Sequence, residues 1–137
     1  MHFKKNKNAS GIQIPFLGYI RAGFASPGEE ELSETINLEQ YLIQDKDSSY
    51  LLRVQGDSMQ DAGILDGDYV VFQRTTDCKT GDIVVALIED GYTLKYLQKT
   101  SDGRLYLEAA NDLYEPIFPR DGQIVGVVVS TFRTYHK

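Results

Sequence analysis

Residues 83–97 leave this chain little choice of fold. Ile83-Val84-Val85-Ala86-Leu87-Ile88 is an almost unbroken apolar run of strand length, and Tyr92-Thr93-Leu94-Lys95-Tyr96-Leu97 follows after Glu89-Asp90-Gly91. Both runs are short and rich in β-branched and aromatic residues, which reads as two strands. Asp-Gly is expected to supply the positive φ of the hairpin between them. The first run carries no polar residue, so it predicts a strand buried on both faces. Residues 50–54, 69–72, 104–107 and 124–129 repeat the pattern between Gly/Asp turns. Several short strands of this kind predict a mainly β domain of short antiparallel strands. One helix is expected: Asn37 reads as a cap before Leu38-Glu39-Gln40-Tyr41-Leu42-Ile43, with Gln40 at the third position after it.

The N-terminal part has a different texture. Residues 1–10 are polar and basic, 14–24 are apolar enough to dock, and 25–34 hold Pro27-Gly28 followed by an acid run, the signature of a solvated linker. The reading is therefore a flexible arm and linker over 1–34 and a β domain over 35–137. Residues 1–22 carry Lys4, Lys5, Lys7 and Arg21 and no acid, while the chain as a whole has a net charge of −6. The arm is basic and the body strongly acidic, a poor balance for charge-driven nucleic-acid binding. A secretory signal also begins with basic residues, but Gln13 and Pro15 interrupt the apolar stretch that would follow. No stretch approaches the roughly 18 apolar residues of a membrane span. A single cysteine, Cys78, excludes an internal disulfide and a cysteine-based zinc cluster, and it suits a reducing compartment. The two histidines, His2 and His136, sit at opposite ends, which argues against a histidine metal site or a Ser-His-Asp triad.

Three features carry chemistry. Gly56-Asp57-Ser58-Met59 follows a strand and precedes Asp61-Ala62-Gly63-Ile64. A serine on such a bend is either ordinary turn chemistry or a hydroxyl exposed over a cleft. Lys95 lies among Leu94, Tyr96 and Leu97. It either points outward from an exposed face or is buried. Burial disfavours the ammonium and lowers the pKa. A lysine at the usual pKa of about 10.4 is neutral only about 0.04% of the time at pH 7. A buried one can act as the general base for a serine hydroxyl without any histidine. Ile20-Arg21-Ala22-Gly23 offers a sterically minimal Ala-Gly bond beside the linker, and in extended form Ile20 and Ala22 point the same way.

Together these residues resemble the self-cleaving LexA-like peptidases, most closely their UmuD-like members. The resemblance rests on Gly56-Asp57-Ser58-Met59, the stretch from Asp61 to Asp68, Gly81-Asp82-Ile83-Val84, and Thr93-Leu94-Lys95-Tyr96-Leu97. It continues in Asn111-Asp112-Leu113-Tyr114-Glu115-Pro116-Ile117 and Gly126-Val127-Val128, and covers about residues 19–130. The Ser58–Lys95 interval is 37 residues and the Ala22–Ser58 interval 36, as in UmuD-like proteins. The resemblance implies a LexA/signal-peptidase-like β domain, with Ser58 as nucleophile and neutral Lys95 as general base. It implies cleavage of the chain's own Ala22–Gly23 bond, and an oxyanion hole from the backbone N–H groups of Ser58 and Asp57. No metal or cofactor is implied.

The resemblance also implies a bacterial, cytoplasmic setting, homodimers, and stimulation by the RecA–single-stranded-DNA filament. Only 22 residues precede Gly23, too few for the helical DNA-binding domain of a repressor. The expectation is therefore an SOS-response accessory subunit of a UmuC-like Y-family translesion polymerase, without sequence-specific DNA binding. The alternatives are a LexA-like binding or regulatory module that no longer cleaves, a phage- or mobile-element-encoded relative, and a signal peptidase, which would need a membrane anchor. The apolar run over 124–129, with Thr131 and Phe132, is expected to leave an unpaired strand edge that seeks a second copy.

Overall fold

The computed structural model describes residues 11–20, 22 and 34–136. The basic residues of the arm, Gly23 and residues 25–33 of the expected linker lie outside these. The described residues fall into two units, divided after Leu42.

In the first unit, strand β1 (Gln13–Pro15) pairs antiparallel with β2 (Thr35–Asn37), Ile14 opposite Ile36. Helix α1 (Leu38–Leu42) follows without a break. Asn37 caps it as expected, its Oδ1 accepting the Gln40 N–H at 3.2 Å. Because β2 pairs back onto β1, residues 35–42 group with the arm's strand and not with the main sheet.

The second unit is a six-stranded antiparallel sheet, so the mainly β fold of short antiparallel strands is what the chain adopts. Its strands are β3 (Ser49–Arg53), β4 (Tyr69–Arg74), β5 (Ile83–Ile88), β6 (Gly91–Lys99), β7 (Leu105–Glu108) and β8 (Ile124–Phe132). Their order across the sheet is β3-β4-β8-β5-β6-β7. The last strand is thus central, paired with β4 on one side and β5 on the other. This corrects the expectation of an unpaired edge over residues 124–132; the outer strands are β3 and β7.

Two other expectations change in detail. In the β5–β6 hairpin Ile88 pairs with Gly91, so Glu89-Asp90 is a two-residue loop. Both loop residues carry the positive φ, 48° and 67°, and Gly91 is already strand. That is the type I′ pattern, which matches the right-handed twist of the flanking strands. In β5, Val84, Val85 and Ala86 are buried on both faces, whereas Leu87 is exposed near the hairpin.

β8 holds its central place through two irregularities. Val129 is extra opposite β4 and Val125 is extra opposite β5, so the strand bends at both points. Between them, Gly126 lies so close to β4 that a Cβ would stand 2.3 Å from the Gln73 carbonyl oxygen and 2.8 Å from Phe72. Gly126→Ala is expected to cost about 1–3 kcal/mol or more through overpacking against backbone. A lowered urea midpoint with unchanged slope is the expected result; an unchanged midpoint contradicts the close approach.

The sheet buries two clusters. Val84, Ala86, Leu97 and Leu107 form one, flanked by Cys78, Ile117 and Ile124. Met59, Ile64 and Val70 form the other, with Leu52, Val54, Ile83, Leu94, Tyr96 and Val128 packed against them. The second cluster draws on β3, β4, β5, β6 and β8, and Met59 roots the Ser58 turn in it.

Candidate active site

Ser58 leaves the sheet on the turn after β3. Gly56 takes φ 98°, a left-handed conformation that glycine adopts without strain. Its N–H is held by Asp66 Oδ1 at 2.7 Å. A single 3-10 turn, Gln60–Ala62, closes the segment, and Gly63 ends it at φ 79°. Met59, 2% exposed, is the apolar anchor directly after the serine.

Lys95 comes from the middle of β6. Thr93, Lys95 and Leu97 share one face by the period of two. Lys95 is buried at 6% exposure, so of its two readings the structure selects the buried one. Its Nζ lies 3.0 Å from Ser58 Oγ, 2.9 Å from Thr93 Oγ1 and 3.1 Å from the Leu94 carbonyl. The Tyr114 ring centroid lies 5.9 Å away.

Burial pushes the Lys95 pKa below the ordinary lysine value. The amine donates to all three of these oxygens. Once deprotonated, it would keep two of these bonds and could accept the Ser58 O–H with its lone pair, the bond a general base needs. Thr93 was not singled out in the sequence; its place two residues before Lys95 on a strand is the signal that could have found it.

A second loop braces the serine turn. Asn111, 5% exposed, donates from Nδ2 to the Asp57 carbonyl at 3.0 Å. Tyr114 donates its hydroxyl to Asp57 Oδ1 at 2.6 Å. The Ala110 carbonyl accepts the Asp61 N–H at 2.8 Å. Both ends of the turn are thus tied to residues 110–114. The hydrogen bond to the Asp57 carboxylate pushes the Tyr114 pKa up. On the far side, Arg133 binds Asp68 through Nε and Nη2 at 2.6 and 2.8 Å and reaches the Gly63 carbonyl at 3.1 Å. The guanidinium holds the buried Asp68 carboxyl below its usual value.

A small cleft of about 120 Å³ opens beside Ser58, with Leu52, Val54, Val70, Val85 and Leu94 on its apolar side and Arg53, Gln55, Tyr92 and Thr93 among its polar lining. A volume of this size suits a small side chain. Ala22 is described as an exposed bend, and Gly23 lies outside the described residues. Cys78 stands apart from the cleft, its Sγ 3.8 Å from the Thr75 carbonyl; burial first, then Asp82 and Asp77, push its thiol pKa up. No helix among the described residues is long and apolar enough to cross a membrane.

A mainly β domain of antiparallel strands is consistent with a LexA/S24-like β domain. The chain belongs to the Peptidase S24-like family, which matches residues 15–129. It is 40% identical over 126 residues to the LexA repressor of Alkaliphilus oremlandii, covering 92% of this chain and 60% of that protein. It is 40% identical over 123 residues to the LexA repressor of Acetivibrio thermocellus, covering 89% of this chain and 57% of that protein. The LexA repressor of Geobacillus sp. is 37% identical over 132 residues, 96% of this chain and 63% of that protein. The chain spans about three fifths of the length of these relatives.

Proposed function

We propose that this chain is a LexA-like regulator that cleaves itself, with Ser58 as nucleophile and Lys95 as general base. The observation that carries the reading is the 3.0 Å contact between a buried lysine amine and the Ser58 hydroxyl. In the reaction, Ser58 Oγ attacks the Ala22 carbonyl carbon while its proton passes to Lys95 Nζ. The tetrahedral oxyanion is held by the backbone N–H groups of Ser58 and Asp57. Lys95 then gives the proton to the Gly23 nitrogen, the Ala22–Gly23 bond breaks, and an ester joins Ala22 to Ser58. Water activated by the regenerated neutral amine hydrolyses that ester.

The small cleft favours alanine before the bond. The likeness to LexA repressors favours a role in damage-induced gene control, with the RecA–single-stranded-DNA filament stabilising the reactive pose and adding no catalytic group. A second reading, an accessory subunit of a UmuC-like polymerase, is favoured by the intervals of 36 and 37 residues.

The test is incubation of the purified protein at alkaline pH. The expected product is a shortened chain beginning at Gly23, formed at a rate independent of protein concentration if cleavage is intramolecular. Gly23→Glu is expected to suppress the product at least ~100-fold by placing a charged, bulky side chain in a narrow cleft. An intact wild-type chain after prolonged incubation, with or without filament, would leave the non-cleaving regulatory module as the surviving reading. Normal processing of Gly23→Glu would remove the assigned bond.

A further inference from the structure

We propose that Asn111 is a positioning residue that sets the oxyanion hole by fixing the Asp57–Ser58 peptide plane, an inference that rests on the self-cleavage reading above. The Asp57 carbonyl and the Ser58 N–H belong to one peptide group, and in a trans peptide they point in opposite directions. No peptide bond in the described residues is cis. Aiming the carbonyl therefore aims the N–H.

The carbonyl is aimed twice. It accepts the Asn111 side-chain amide at 3.0 Å and the Gln60 N–H at 3.2 Å, which occupies both of its lone pairs. Asn111 is itself held. It is 5% exposed, and its Oδ1 accepts the Leu113 N–H at 3.0 Å. The side chain cannot turn over without reversing donor and acceptor against both partners. Rotation of the peptide would strand a buried amide donor, which folded proteins avoid.

The Ser58 N–H consequently points away from Asn111; in the proposed mechanism the oxygen of the scissile carbonyl would lie on that side. Donors aimed in advance at developing charge need no reorganisation during the reaction. Asn111 is not among the hydrogen-bond partners of Lys95, which are Ser58, Thr93 and Leu94. It acts only through the peptide it holds.

The test uses Asn111→Asp and Asn111→Ala in the full chain, with self-cleavage followed from pH 6 to 10. Losing one oxyanion donor costs about 10²–10³ in rate. The expected result is a plateau rate lower by that factor with the midpoint of the pH profile unmoved, because the amine's surroundings are intact. A plateau within twofold of wild type in a folded variant overturns the inference. A midpoint that moves together with the plateau also overturns it, since that marks general loosening around Lys95.

Should both variants unfold below the assay temperature, the wild-type chain decides. A through-hydrogen-bond coupling between the Asn111 side-chain nitrogen and the Asp57 carbonyl carbon, retained when a peptide aldehyde adds to Ser58, is expected; its loss in the adduct overturns the inference. Failure of the underlying reading is distinct, because then Ser58→Ala would cleave as wild type does, or wild type would not cleave at all.

Discussion

Ser58→Ala is expected to stop self-cleavage by at least ~10⁴-fold, and Lys95→Ala to do so equally, because in the proposed mechanism the two groups act as one unit in a single proton transfer. Neither loss is rescued elsewhere, as Thr93 has no group basic enough to take the proton. The two variants differ in stability. Ser58→Ala removes one small hydroxyl from the turn. Lys95→Ala empties a buried site and confounds the assay with a cavity. Lys95→Met is the better control, since it fills the channel of the lysine stem and removes the amine. It is expected to be inactive and at least as resistant to urea as the wild type at neutral pH. Band shifts on incubation together with urea midpoints decide the matter. Wild-type cleavage by Lys95→Met would remove the base from the mechanism.

The pH profile should show the same lysine twice, once in rate and once in stability. Burial lowers the Lys95 pKa. The neutral fraction, and the rate with it, therefore rises about tenfold per pH unit until the lowered pKa is reached, then levels off below the ordinary value of about 10.4. A rate that is flat from pH 6 to 10, or highest in acid, contradicts a lysine base. Stability runs in the same direction. Between the lowered pKa and about 10.4 the unfolded chain binds a proton that the folded chain does not. The unfolded state then binds more protons, so unfolding free energy increases with pH across that window. The contribution is lost as pH falls through the folded pKa. Lys95→Met is expected to abolish this slope, and urea titrations at several pH values would show it.

What could be read from the sequence was local. Strands β4, β5 and β6 announce themselves because their β-branched runs end in Gly/Asp turns, and the Asn37 cap because its partner is three residues away. The order of strands could not be read, since β8 finds its central place through pairings with β4 and β5 that lie far from it in sequence. The burial of Lys95 is a property of that same long-range closure; a lysine on a strand looks alike whether it faces water or core. Ser58 and Lys95 were paired by family resemblance, and their contact is made across 37 residues. Asn111 and Tyr114 belonged to the stretches carrying the resemblance, but their grip on Asp57 depends on a 54- and a 57-residue closure that no periodicity signals.

In a flat sheet β3 and β6 would stand four strand spacings apart, about 19 Å at ~4.8 Å each. Yet Leu52 and Leu94 pack into one cluster with Met59, so the sheet is rolled until its first and fifth strands face a common plug. The gap between Ser58 Oγ and Lys95 Nζ is thereby a gauge of that roll. In the proposed mechanism, a sheet that unrolled would widen the gap and leave the serine proton without its acceptor.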